Sequence, residues 1–105
     1  IGTDRRSAVR RQPTVGTVCR LDPQTGGIGL VWNISTGGVS MLLSNSVDRG
    51  ATVKGVLATA TEQFALPVTV RVTHVAPLQT GDFLVGGQFD RPLRAEEMRH
   101  FVPTI

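Results

Sequence analysis

The chain has 105 residues, a net charge of +3, 40% hydrophobic residues and 18% charged residues, the profile of one small folded domain and not of a disordered chain. No apolar run approaches the roughly 18 residues of a membrane span, and no signal-peptide pattern opens the sequence. Its single cysteine, Cys19, excludes an intramolecular disulfide framework and leaves a cysteine zinc site without ligands.

The first element is a basic arm over residues 1–12. The chain opens on Ile1, as a segment of a longer protein would. Residues 1–20 hold Arg5, Arg6, Arg10, Arg11 and Arg20 against Asp4, a local charge of +4. The rest holds six basic and seven acidic groups, a charge of −1. Lys54 is the only lysine among eleven basic residues. Lysine would suffice for solubility, whereas arginine presents a rigid planar fork to phosphates and base edges.

Beyond the arm the hydrophobic period is two. Val15, Thr17, Cys19 and Leu21 alternate with more polar positions, then Ile28, Leu30, Trp32 and Ile34, then Val39, Met41 and Leu43. Val53, Gly55 and Leu57 share a face in the next stretch. From Leu66 to Ala76, Val68, Val70, Val72 and His74 share one face, and Thr69, Arg71 and Thr73 the other. Phe83, Val85, Gly87 and Phe89 close the series. Such alternation predicts strands with one face on a core, so Trp32 and His74 are expected on inward faces. The breaks at Asp22–Gly27, Ser35–Gly38, Asp48–Gly50 and Pro77–Asp82 carry turn-forming residues. About six strands at this spacing predict an all-β domain over 13–105, a small six-stranded antiparallel barrel. After Leu93 the period changes: Met98, Phe101 and Val102 fall at i, i+3 and i+4. That predicts a short amphipathic C-terminal helix stopped before Pro103.

Catalytic candidates are poor. His74 and His100 are separated in the sequence, the eight carboxylates are scattered, and no metal-ligand spacing occurs. Cys19, among small apolar neighbours, reads as a core thiol. No enzyme activity, cofactor or metal is expected. Two constellations remain. The arm contains Arg-x-x-x-Arg at Arg6 and Arg10, with Arg5 directly before it, and the turn after the second strand contains Asn33-x-Ser35-x-x-Gly38. Each alone is weak, because Asn, Ser and Gly are ordinary turn formers.

Together, in this order and ahead of a six-strand pattern, these motifs resemble those of the PilZ domain family, which binds cyclic di-GMP. Gly86-Gly87-Gln88-Phe89 is similar to that family's Gly-x-x-Phe strand ending. The resemblance implies a ligand site built from Arg5, Arg6, Arg10, Asn33, Ser35 and Gly38. With less force it implies Gly86 and His74, the latter near a position where the family often carries a tryptophan. It also implies a bacterial cytoplasmic receptor, often fused to larger proteins. A charged residue at Arg5 goes, within the family, with a stacked pair of ligands.

The chemistry is sensible in itself. An arginine fork can engage the O6 and N7 acceptors of guanine, and guanidinium also pairs with phosphate. Arginines four apart lie about 13 Å from each other if the arm is extended and about 6 Å if it is helical, and either spacing can straddle a dianionic ligand. Asn33 and Ser35, two apart at a strand end, can point the same way. Gly38 would supply a turn at positive φ free of a blocking side chain. A flexible arm closing on the ligand would convert binding into a change of shape, passed to a fused domain or protein partner. Two alternatives stand beside this: a ligand-free module for protein interaction, and a nucleic-acid-binding barrel. Against the latter are the absence of Tyr, the single Trp and a body charge of −1, which leave neither a stacking ladder nor a basic track.

Overall fold

Short alternating runs of Val, Leu, Ile and Met, too short for helices and broken by Gly- and Asp-containing turns, form six strands in a computed structural model that describes residues 11–22, 27–61 and 63–102. The strands are β1 (Val18–Leu21), β2 (Ile28–Ile34), β3 (Gly38–Leu43), β4 (Thr52–Ala58), β5 (Ala65–Pro77) and β6 (Phe83–Phe89). One helix follows, α1 (Ala95–Met98). All neighbouring strands are antiparallel, and they close into a barrel in the order β1-β2-β3-β6-β5-β4. Closure pairs both sides of every strand, so the sheet offers no edge for aggregation.

The interior is filled from every strand, by Cys19 and Leu21, Val31 and Ile34, Val39, Met41 and Leu43, Val53 and Leu57, Val70 and Val72, and Val85 and Phe89. Burial pushes the Cys19 thiol up to about 12, because the thiolate would have to sit in the apolar core. Leu93, Met98, Phe101 and Val102 join the same core, which is why the period of the chain changes after residue 93. The carbonyl of Phe101 accepts the N–H of Thr14 at 2.9 Å and ties the tail to the segment before β1. At the start of α1 the Glu97 carboxylate accepts the Arg94 backbone N–H at 2.8 Å. That bond, helped by the positive charge of Arg91 and Arg94, holds Glu97 below its ordinary value. His100 is exposed in the turn after α1, with its ring stacked on Phe64 at 3.8 Å between centroids.

Three expectations fail in instructive ways. Val15 lies in a turn at 96% exposure, outside the first strand. In β2 the inward set is Val31 and Ile34, while Ile28, Leu30 and Trp32 face out, with Trp32 57% exposed. The pairing of Cys19 with Gly29 and of Val31 with Met41 sets this register, and a one-residue change of register exchanges the faces of a strand. A bulge between Val31 and Asn33 then returns Ile34 to the core opposite Val39. His74 also faces out. Its strand shifts register between Val72 and His74, so the apolar series 68, 70, 72 continues inward at Val75 instead.

Candidate functional site

The Asn-x-Ser-x-x-Gly motif straddles the end of β2 and the start of β3. Asn33 is paired with Ser40, whose neighbours Val39 and Met41 are fully buried in the barrel. Asn33 and Ser40 therefore share the outer face. Ser40 is paired in turn with Gly86 of β6, and Gly86 with His74 of β5. Four strands thus bring Asn33, Ser40, Gly86 and His74 into one row across the outside of the barrel. At about 4.8 Å per strand the row is about 14 Å long. In the next outward row, Gly38 is paired with Gln88 and Gln88 with Arg71. Exposed Arg71 and Gln88 flank the first row.

Ser35 does not point out beside Asn33. It is buried, and its hydroxyl accepts the backbone N–H groups of Gly37 at 3.3 Å and Gly38 at 3.2 Å. Its own N–H donates to the Gly38 carbonyl at 2.9 Å. The serine thus shapes the turn. The turn is fastened in place, since the Gly37 carbonyl accepts Phe89 N–H and the Thr36 carbonyl accepts Leu93 N–H.

The two motif glycines are glycines for different reasons. Gly38 does not have the positive φ expected of it; instead, a Cβ there would run into the carbonyl of Gly87 on β6. Its role is a close approach of two backbones. At Gly86 a Cβ would meet Ser40 Oγ at 3.4 Å, His74 Cβ at 3.8 Å and the Val39 carbonyl oxygen at 4.0 Å, all ordinary contacts. Packing does not require a glycine at 86. A glycine inside a strand costs about 0.5–1 kcal/mol relative to alanine, so the bare backbone at this point of the outer face calls for another explanation, such as close approach of a ligand.

Arg5, Arg6 and Arg10 lie outside the described residues. The next residue, Arg11, exchanges backbone hydrogen bonds with Ile34, donating at 2.8 Å and accepting at 2.9 Å. Arg11 is therefore held to the barrel at the residue after Asn33. Among the described residues no group of three or more His, Cys, Asp or Glu side chains could hold a metal, and no helix is long and apolar enough to cross a membrane.

Sequence reasoning missed Ser40 and the neighbourhood of Arg71 and His74. The first was available, since Ser40 alternates with Val39 and Met41. The second was hidden by the bulge, because Arg71 and His74 are three apart and would occupy opposite faces of a regular strand.

The chain is thus a small closed six-stranded antiparallel β-barrel, with Arg11 joined to the end of β2 beside an outer row in which Asn33 and His74 flank the buried Ser40 and Gly86. The PilZ domain family model matches residues 4–103, nearly the whole chain, and the chain belongs to that family. Its resemblance to these cyclic di-GMP-related regulatory domains thus extends beyond the motifs to the full barrel. Among solved structures it is similar to the Bacillus subtilis inhibitor of motility, MotI/DgrA, with a TM-score of 0.69 and 16% identity. The match covers 91% of this chain and 47% of that one, so the chain spans about half the length of that protein. At this identity the likeness is one of fold. No curated protein matches the chain.

Proposed function

We propose that the domain is a cyclic di-GMP receptor that binds its ligand across the row Asn33, Ser40, Gly86 and His74, with Arg5, Arg6 and Arg10 closing over it. The observation that carries this is the row itself: four strands place small or polar residues side by side on the outer face, directly next to the point where Arg11 docks on Ile34. Gly86 and Ser40 provide a low floor for a flat base. Asn33 offers an amide that can both donate and accept. Three arginines supply charge for the phosphates and forks for guanine edges. Ser35 and Gly38 contribute indirectly, by holding the turn that carries Asn33 against β3 and β6.

Binding in this reading brings Arg5, Arg6 and Arg10 onto the ligand and changes the surface offered to a fused domain or protein partner in the bacterial cytoplasm. Support comes from the face adjoining the site. Ile28, Leu30 and Trp32 are 63%, 48% and 57% exposed, and Trp32 directly precedes Asn33. Clustered apolar exposure of this kind is characteristic of contact surfaces. The domain has no catalytic role in this reading and needs no cofactor; cyclic di-GMP is its signal and is released unchanged. Calorimetric titration with cyclic di-GMP, with GMP as the control, tests it. Saturable binding of the cyclic dinucleotide and none of GMP is the expected result. Absence of binding would leave the ligand-free interaction module as the better reading.

A further inference from the structure

The bulge in β5 is a local irregularity with a definite effect on chemistry. In a regular strand Arg71 and His74 would lie on opposite faces. Here Val72 points inward opposite Gly87, the extra residue Thr73 takes up the slack, and His74 emerges outward opposite Gly86. The Thr73 hydroxyl donates a long bond, 3.4 Å, to the Gly86 carbonyl and so bridges the irregularity. The result is that Arg71 and His74 stand on one face, beside Gln88 and Gly86 respectively. Bulges are commonly used to re-aim a side chain next to a functional site.

We infer that Arg71 and His74 form a second cationic anchor, at the β5 end of the row and away from the β2 end where Arg11 joins the barrel, and that protonation of His74 makes ligand binding stronger in mild acid. The inference rests on the cyclic di-GMP reading and adds to it a regulating residue and an arginine outside both motifs. The ligand is a phosphodiester dianion, which stays ionised throughout the pH range in which a histidine side chain gains its proton. With the ligand on the row, a proton on His74 adds attraction in the bound state that has no counterpart in the free state. By linkage, affinity must then rise as pH falls. Arg71 is charged at every pH and supplies a constant part of the attraction.

The charged groups around His74 fit this assignment. On β6 its neighbours are Leu84, Gly86 and Gln88, all uncharged, and beyond Gly86 lies Ser40 of β3. On its own strand the one charged neighbour on that face is Arg71. On the β4 side, Gly50 and Ala51 bond to Val72, which brings the turn containing Asp48 and Arg49 alongside; these two carry opposite charges. Backbone pairing brings two carboxylates into the surroundings of the pair: Asp48, in that turn and next to Arg49, and Asp90, whose N–H donates to the Thr69 carbonyl at 3.0 Å two residues before Arg71.

The test is calorimetric titration of the whole chain with cyclic di-GMP at pH 5.5 and pH 7.5, at one ionic strength, for wild type, His74→Gln and Arg71→Gln. Both side chains are exposed, so the variants should fold, which thermal melts verify. Wild type is expected to bind roughly 3- to 10-fold more tightly at pH 5.5, the effect of one added charge partly screened by solvent. His74→Gln should remove that dependence. Arg71→Gln should bind about tenfold more weakly at both pH values, keep the pH dependence and respond less to salt. Wild-type affinity that is the same at both pH values, or a pH dependence that survives His74→Gln, would overturn the role of His74. Wild-type affinity in Arg71→Gln would overturn the paired anchor. Failure of the wild type to bind at either pH would instead reject the cyclic di-GMP reading, and the anchor with it.

Discussion

Exchanging Gly38 and Gly86 for alanine, one at a time, separates what the fold requires of this face from what a ligand requires. At Gly38 the new Cβ would be driven into the Gly87 carbonyl, and neither partner is a flexible side chain that can swing aside. Strands β3 and β6 must part where Gly38 and Val39 pair with Gln88 and Gly87. Overpacking of this kind costs about 1–3 kcal/mol. At roughly 4–8 °C per kcal/mol for a domain of this size, Gly38→Ala should melt about 5–20 °C below wild type. At Gly86 the Cβ would meet its neighbours at 3.4 and 3.8 Å, and φ is not positive. Alanine there is compatible with the backbone and less free when unfolded, so stability should stay level or rise by about 0.5–1 kcal/mol. The same methyl group would stand on the floor of the site and hold a flat base away from it. Cyclic di-GMP affinity should fall at least tenfold, about 1.4 kcal/mol. Urea denaturation followed by calorimetric titration of each variant measures both quantities. A Gly86→Ala protein that is stable and binds like wild type would refute the floor; a Gly38→Ala protein of wild-type stability would refute the close approach.

Other outcomes follow from the same geometry. Arg6→Ala and Arg10→Ala should each weaken cyclic di-GMP binding about 30- to 1000-fold, as expected for about 2–4 kcal/mol of charge-assisted contact, with Arg11→Ala affected much less. Titration of all three against their melting curves checks this. Arg5→Leu should lower the binding stoichiometry towards one per chain, because a second dianion stacked on the first needs the extra guanidinium; a one-to-one endpoint for wild type at low salt would contradict it. Phe101→Ala should cost about 3–5 kcal/mol in denaturant unfolding, since the ring is fully buried against the core. Cys19 ionises near 9.0 ordinarily but only at about 12 in the folded chain. The unfolded chain therefore loses its proton first as pH rises. The contribution of the thiol to stability is complete below about pH 9 and is lost progressively towards pH 12, a decline that Cys19→Ala should lack in denaturation curves measured across that range.

Where each strand lies, and which residues of β3, β4 and β6 face in, was legible because alternation at Val39–Leu43, Val53–Leu57 and Phe83–Phe89, interrupted by a single apolar residue in each (Leu42, Val56 and Leu84), favours one arrangement that buries most of the apolar set. The change of period after Leu93 was equally plain. What alternation could not supply was the two bulges. In β2 a continuous stretch, Ile28 to Ile34, offers apolar residues at both parities, and the partner strands decide which parity enters the core. In β5 a valine series running into His74 gives no local sign that Thr73 is the extra residue. The motif residues were identifiable as a set, but not their division of labour. Ser35 closes the turn through hydrogen bonds to Gly37 and Gly38, whereas Gly38 is needed for a backbone contact with β6, a strand almost fifty residues further along the chain.

Amide chemical-shift mapping on isotope-labelled protein titrated with cyclic di-GMP tests the location and identity of the site together. The largest changes should trace the row across four strands, at Asn33, Ser40, Gly86 and His74, with Arg71 and Gln88 beside it. Arg20 and Val56, paired across β1 and β4, the two strands that the row does not cross, should stay unmoved. Changes centred on Arg20 and Val56, or no changes at saturating ligand, would contradict the assignment of this face as the cyclic di-GMP site.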